Sequence, residues 1–218
     1  VGIIGANGAG KSTLLHLMLG LLAPQAGQIR FDGVPLSKKM QKQIRERVGL
    51  VFQDPDDQLF MPSLGEDTAF GPRNQGLSET EVQERVAWAL ATVGLGEKAD
   101  RPAWQLSGGE KKAASLATVL ALQPDVLVFD EPTSSLDPRT RRQVMRLCLQ
   151  LPQTRIITSH DLDLVLDICE RTILLDHGRI LADGPSWQIL TNEPLLLASG
   201  LELPLRLQPL DSQGLKVR

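Results

Sequence analysis

The opening stretch VGIIGANGAGKS restricts what this chain can fold into more than any other. A short apolar run, VGII, enters a loop carrying Gly5, Gly8 and Gly10, and the residues from 12 to 22 are apolar almost all round, stopping at Pro24. Strand, glycine loop and buried helix in that order make a cradle for phosphate, because the loop's N–H groups and the helix dipole converge on one point. Residues 5–12 fit G-x-x-x-x-G-K-[ST] in the strand-to-helix context that motif requires. The expected nucleotide-binding residues are Gly5, Asn7, Gly8, Ala9, Gly10, Lys11, Ser12 and Thr13, with Lys11 neutralising the β and γ oxygens and Ser12 offering its hydroxyl to Mg²⁺.

Further along, apolar strands are expected at 28–31 and 48–52, and then at VLVFD, RIITSH, TILLD and RILAD, the last two joined by His177-Gly178 as a hairpin turn. Between them, residues from about 54 to 122 read as mainly helical. There Ser78 and Glu81 form a capping box ahead of Val82, Val86, Leu90 and Val93, and Gly94 ends that helix. Strands alternating with helices predict an α/β fold with a parallel core.

VLVFDE supplies the second half of a phosphate chemistry. Asp130 leaves the carboxyl end of its strand, where open α/β sheets hold ligands, and is expected to bind Mg²⁺. Glu131 beside it suits a general base that polarises the attacking water. His160 follows RIITS to the same edge, within reach of a γ-phosphate, and Gln53 follows the strand at 48–52, where it could meet Mg²⁺ or the water.

LSGGEKK, residues 106–112, poses a question. Ser107 and Glu110 are spaced as a second capping box, and Gly108 and Gly109 leave backbone N–H groups open, so this too is an anion site, without a strand feeding it. One active site needs only one such helix N-terminus.

With 23 Lys plus Arg against 26 Asp plus Glu and a net charge of −3, the chain offers no general attraction to nucleic acid or to an anionic surface. No apolar run approaches the roughly 18 residues that cross a bilayer, and no charged-then-apolar leader begins the chain, so a soluble protein is expected. Cys148 and Cys169 lie on apolar helical spacings and read as buried thiols. The start at Val1, inside a strand pattern, suggests an N-terminally truncated chain.

The order GANGAGKS, Gln53, LSGGE, VLVFDEP, SSLD, His160 resembles, over essentially the whole chain, the ATP-binding cassette (ABC) ATPases. The resemblance implies a P-loop NTPase with a RecA-like parallel-sheet core and an inserted helical subdomain at about 54–122, one cassette domain over 1–218, and a C-terminal tail at about 200–218 that reads as extended. It implies ATP and Mg²⁺ as cofactors, with Ser12, Gln53 and Asp130 around the metal and Glu131, His160 and Gln53 as catalytic residues. It also answers the question of the second helix: two cassettes pack head to tail, and Ser107, Gly108, Gly109 and Glu110 of one complete the γ-phosphate site of the other. Asp137 resembles the aspartate that joins the two sites, and it is also a plausible N-cap with Pro138 following. The family's adenine-stacking aromatic lies upstream of the first motif, and this chain has no Tyr. Glu110 stands where Gln is commoner.

The spacing leaves no room for the long coiled coils of DNA-repair cassettes, and a single motif set departs from the two-cassette translation factors. A transporter motor remains, with a non-transport ATPase as the alternative from another class. QDPDDQLFMP, EDTAFGPRNQGLS and the terminal GLELP resemble the ATPases of energy-coupling factor importers, particularly those for cobalt or nickel, with vitamin importers as the runner-up. The resemblance implies a second ATPase subunit, with a homodimer expected. It also implies integral membrane coupling and substrate-binding subunits, and a peripheral position on the cytoplasmic face of the membrane. Residues 53–62 are expected to expose Leu59, Phe60 and Met61 beside Asp54, Asp56 and Asp57, as a groove for a membrane partner's helix.

Overall fold

The computed structural model describes residues 1–37 and 40–209. In chain order its elements are β1 (Gly2–Ile4), α1 (Lys11–Met18), β2 (Arg30–Phe31), β3 (Val34–Pro35), α2 (Gln41–Arg47), β4 (Val48–Val51), α3 (Leu64–Asn74), α4 (Glu79–Thr92), α5 (Gly108–Leu120), β5 (Val126–Asp130), α6 (Pro138–Gln150), β6 (Thr154–Thr158), α7 (Leu162–Ile168), β7 (Arg171–Asp176), β8 (Arg179–Pro185), α8 (Ser186–Leu190) and α9 (Glu193–Ala198). The chain divides into two compact units, one made of Val1–Leu14 with the chain from Ile156 onward, the other of Leu15–Arg155.

In the first unit β1 is central. It pairs in parallel with β6, Gly2 opposite Ile157, and with β7, Ile3 opposite Ile173. The apolar residues that marked these runs are the buried ones: Ile3, Ile4, Ile157 and Leu174 are all at most 2% exposed. Gly2 permits close helix packing, since a Cβ there would lie 2.5 Å from a Val165 methyl of α7. β8 returns antiparallel to β7 through a turn in which His177 (φ 45°) and Gly178 (φ 75°) are both left-handed, the hairpin that the sequence predicts. The expected extended tail differs in its first part. Leu205–Leu207 forms a single 3₁₀ turn, and Arg206 reaches α7 at Asp163 (2.8 Å) and Asp167 (2.6 Å). The remainder of the tail, from 210, lies outside the described residues.

In the second unit β4 and β5 pair in parallel from Val48 opposite Val126 to Val51 opposite Phe129, and α3, α4 and α5 form the helical region. Both expected capping boxes are present, Ser78 with Glu81 and Ser107 with Glu110. The helix expected as far as residue 22 is shorter. Gly20 is left-handed (φ 67°), Leu21 N–H turns back to the carbonyl of His16, and Leu21 and Leu22 are exposed. The strand expected at 28–31 shrinks to β2, which pairs only with β3. Cys148 and Cys169, one in each unit, are buried, as their helical spacing predicts. Among the described residues no helix is long and apolar enough to cross a membrane.

Candidate nucleotide site

The first unit holds the glycine loop. Gly5 is fixed by close approach, because a Cβ there would sit 2.3 Å from the carbonyl oxygen of Leu175. Gly10 takes φ 103°, a backbone that other residues rarely adopt. The β7–β8 turn braces the loop, with Gly178 N–H donating to the carbonyl of Ala9 at 2.9 Å. Ala9 N–H is itself engaged in a turn to the carbonyl of Ala6, 3.1 Å. Lys11, 8% exposed, donates from Nζ to the carbonyls of Gly5 (2.8 Å) and Ala6 (3.3 Å), so a charged donor is held inside the loop. Asn7, Gly8, Ser12 and Thr13 are exposed around it. His160, also exposed, leaves the carboxyl end of β6, the strand parallel to β1, so the histidine and the loop share one sheet edge. Asp161 directs the chain away by capping α7, accepting from Leu164 N–H at 2.9 Å.

The second unit brings Gln53 and Asp130 to one edge in the same way, from adjacent parallel strands. Glu131 is 7% exposed with φ 47°, a strained conformation for a residue with a side chain. Its carbonyl accepts from Ser134 N–H (3.2 Å) and Ser134 Oγ (3.0 Å). A polar pocket of about 510 Å³ is lined by Gln53, Asp130, Gly108, Lys112 and Ser135. In the second unit Gln53 and Asp130, two of the donors expected around Mg²⁺, both offer oxygen and include a single carboxylate. That set fits a magnesium ion completed by phosphate oxygens and water, and suits it better than a dedicated protein cage would.

Lys112 is the residue that sequence reasoning missed. It is 6% exposed and donates from Nζ to the carbonyl of Gln53, with Glu131 O at 3.5 Å. The signal was available: Lys112 stands at i, i+3, i+4 and i+7 with Ser115, Leu116 and Val119, the buried face of α5.

At the start of α5, Ser107 Oγ accepts from Glu110 N–H and the Glu110 carboxylate accepts from Ser107 N–H at 3.0 Å. Lys98 pairs with the same carboxylate, and with Ser107 N–H it holds that carboxyl below its ordinary range. The two glycines differ. A Cβ on Gly108 would meet nothing within 4 Å, whereas one on Gly109 would lie 2.2 Å from the Thr140 methyl of α6. Gly109 is therefore required by packing and Gly108 leaves an open surface. Gly109→Ala is expected to cost about 1–3 kcal/mol through overpacking, and Gly108→Ala to leave stability unchanged. Thermal unfolding checks this, and equal melting temperatures for the two variants would refute it. Asp137 caps α6, with Oδ1 accepting from Arg139 N–H (2.9 Å) and Thr140 N–H (3.1 Å).

The segment after Gln53 departs from expectation in part. Phe60 is 64% exposed, edge-on to Phe70 at 5.1 Å, but Leu59 is buried, because Gln58 pins the segment to α5 through the carbonyl of Ser115 and Thr118 Oγ1, both at 2.8 Å. Asp56 is turned to Lys111, 2.6 Å. The adjoining groove of about 280 Å³, lined by Leu21, Leu50, Phe52, Phe60 and Phe70, carries one base, Arg45, and one acid, Asp67. Its Oδ1 accepts from Phe60 N–H (3.0 Å) and Met61 N–H (2.9 Å), while Oδ2 is buried without a partner. Burial raises this carboxyl above its ordinary range, against the pull of the two amides.

A family model described as ABC transporter matches residues 1–134. The energy-coupling factor transporter ATP-binding protein EcfA of Methanothermobacter thermautotrophicus is 45% identical over 209 residues, covering 94% of this chain and 67% of that protein. The structure of cbiO1 from Clostridium perfringens, described as part of the ABC transporter complex cbiONQ, superposes with a TM-score of 0.81 at 39% identity, covering 93% of this chain and 83% of that one. The dimeric ATP-binding cassette MJ0796, in a post-hydrolysis state bound to ADP and Pi, superposes with a TM-score of 0.74 at 27% identity over 85% of this chain and 84% of that one.

Proposed function

This chain belongs to the ABC transporter family, and on that premise we propose that it is the ATPase subunit of an energy-coupling factor importer whose cargo is cobalt or nickel ions. As a family member it binds ATP and couples hydrolysis to transport. The likeness to EcfA over nearly the whole chain supports the energy-coupling factor reading, while the metal cargo rests on the resemblance of QDPDDQLFMP, EDTAFGPRNQGLS and GLELP to the cobalt and nickel group.

In this reading Lys11 leaves the carbonyls of Gly5 and Ala6 for the β and γ phosphate oxygens, and the N–H groups of Gly8, Gly10, Lys11, Ser12 and Thr13 face the same anion. Ser12, Gln53 and Asp130 would hold Mg²⁺, which when bound would neutralise phosphate charge. Glu131 takes the proton of the attacking water as its oxygen bonds to the γ-phosphorus and the bond to the β–γ bridging oxygen breaks. His160 donates to a γ-phosphate oxygen. Ser107, Gly108, Gly109 and Glu110 serve the ATP of a second copy, and Asp137 links the two sites.

The groove beside Phe60 takes a helix of a membrane subunit with an apolar face and one basic or N–H donor. Asp67 is the reason: a carboxylate in an aromatic groove with one oxygen buried and unpartnered is costly alone and is offset by an incoming cation. Because its folded-state pKa is raised, its favourable contribution is present at low pH and lost as pH rises through that value. Asp67→Asn, which keeps the acceptor for the two amides, therefore does not lower the melting temperature at neutral pH. The same substitution is expected to reduce co-purification with the membrane subunits about tenfold, the equivalent of 1.4 kcal/mol. Undiminished co-purification overturns the docking assignment. In the reconstituted complex, ATP-dependent uptake of nickel or cobalt is expected, and uptake of a vitamin with neither metal would replace the cargo assignment.

A further inference from the structure

We infer that Lys112 is a positioning residue for ATP hydrolysis, whose buried ammonium fixes the main chain at Gln53 and Glu131 to the helix that begins at Ser107 and Gly108. The inference rests on the reading of Glu131 as the base. A lysine 6% exposed is expensive, and a methionine would fill the same volume without desolvating a charge. Desolvation does push the Lys112 ammonium below its ordinary pKa, and the carboxylates of Asp54, Asp130 and Glu131 oppose that shift. What the charge gains in the structure is two carbonyls. One belongs to Gln53, just past the end of β4, and the other, at 3.5 Å, to Glu131, just past the end of β5.

These carbonyls come from different strands. Glu131 is held in a left-handed conformation, so the direction of its side chain depends on what holds its peptide. Ser134 fixes that carbonyl from the following turn, and Lys112 approaches it from α5. The segment from Gln53 is gripped by the same helix at two more points, Lys111 to Asp56 and Gln58 to Ser115 and Thr118. That segment also lines the docking groove through Phe52, Gln58 and Phe60. A displacement of the segment by a docked partner thus reaches the peptide of Glu131 through one side chain. The same side chain carries any movement of the Ser107–Gly108 helix end to the base.

The test compares Lys112→Met, which keeps the length and loses the donors, with Lys112→Arg, which keeps donors and charge. Each is assayed as the full chain for steady-state ATP hydrolysis, with melting temperature measured alongside. For Lys112→Met kcat is expected to fall by at least about tenfold, since small displacements of a reacting group cost that much or more, while KM for ATP changes less than about twofold. Lys112→Arg should recover part of the rate. Should Lys112→Met not fold, Lys112→Gln replaces it in the same comparison. A merely structural lysine would lower the melting temperature and leave kcat of the folded protein intact. Wild-type kcat in the folded Met or Gln variant, or a loss that appears equally in KM, overturns the inference. Glu131→Gln in the same assay separates the two layers. If it retains full turnover, the reading of the base fails. If it is inactive while Lys112→Met is fully active, the base stands and only the role of Lys112 fails.

Discussion

Replacing Glu131 with glutamine is expected to lower steady-state ATP hydrolysis by about 10²–10⁴-fold, the usual contribution of a general base, and to leave ATP binding in place. The substitution is isosteric, and three features that help set the residue's position lie in its main chain: the left-handed backbone, the carbonyl held by Ser134, and the approach of Lys112. Glutamine can occupy the same conformation, so a lost rate reports the lost proton acceptor. The groups expected to bind phosphate, Lys11 above all, are untouched, and calorimetric titration with ATP should give an affinity close to that of wild type. Equal turnover by wild type and Glu131→Gln would remove Glu131 from the role of base and turn attention to His160.

Much of this was legible because it is local. VGIIGANGAGKS encodes a strand, a loop and a helix within twelve positions, and the structure places them so because Gly5 and Gly10 are required by a carbonyl contact and a left-handed backbone. The capping boxes at Ser78 and Ser107 and the left-handed pair His177-Gly178 were legible for the same reason, since each satisfies backbone groups within a few residues. What was hidden depends on partners far away in sequence. Leu59 reads as an exposed loop residue until Gln58 is seen bound to α5, and nothing near Gly109 announces that Thr140 fills its missing side chain. Arg206 lies in a proline-punctuated tail with no periodicity, yet two acids of α7 hold it. Lys112 was obscured by composition, because a lysine beside another lysine reads as solvated, and only the helical spacing argued otherwise.

Ser107→Arg, placed in the Glu131→Gln background, is expected to abolish the ATP-dependent dimer that Glu131→Gln alone is expected to form. Helix α5 is thirteen residues long, and its N-terminus concentrates N–H groups without intrahelical partners and the positive end of the dipole. Ser107 is exposed there and Gly108 has open space around it, so the surface suits close approach by an anion. On the proposed reading, the first helix N-terminus, with Lys11, serves the chain's own triphosphate and the second serves the ATP of another copy. Arginine at 107 projects a long side chain into that open surface and also removes the cap. Loss of the cap costs about 1 kcal/mol of helix stability, whereas blocking the shared site should weaken the dimer by at least about 100-fold, some 2.7 kcal/mol. Light scattering with and without Mg-ATP reads the difference. Ser107→Ala, which removes the cap without adding bulk, should still dimerise and so isolates the steric effect. An ATP-dependent dimer of the doubly substituted protein, equal to that of Glu131→Gln alone, would mean that the helix at Ser107 does not face a partner's nucleotide.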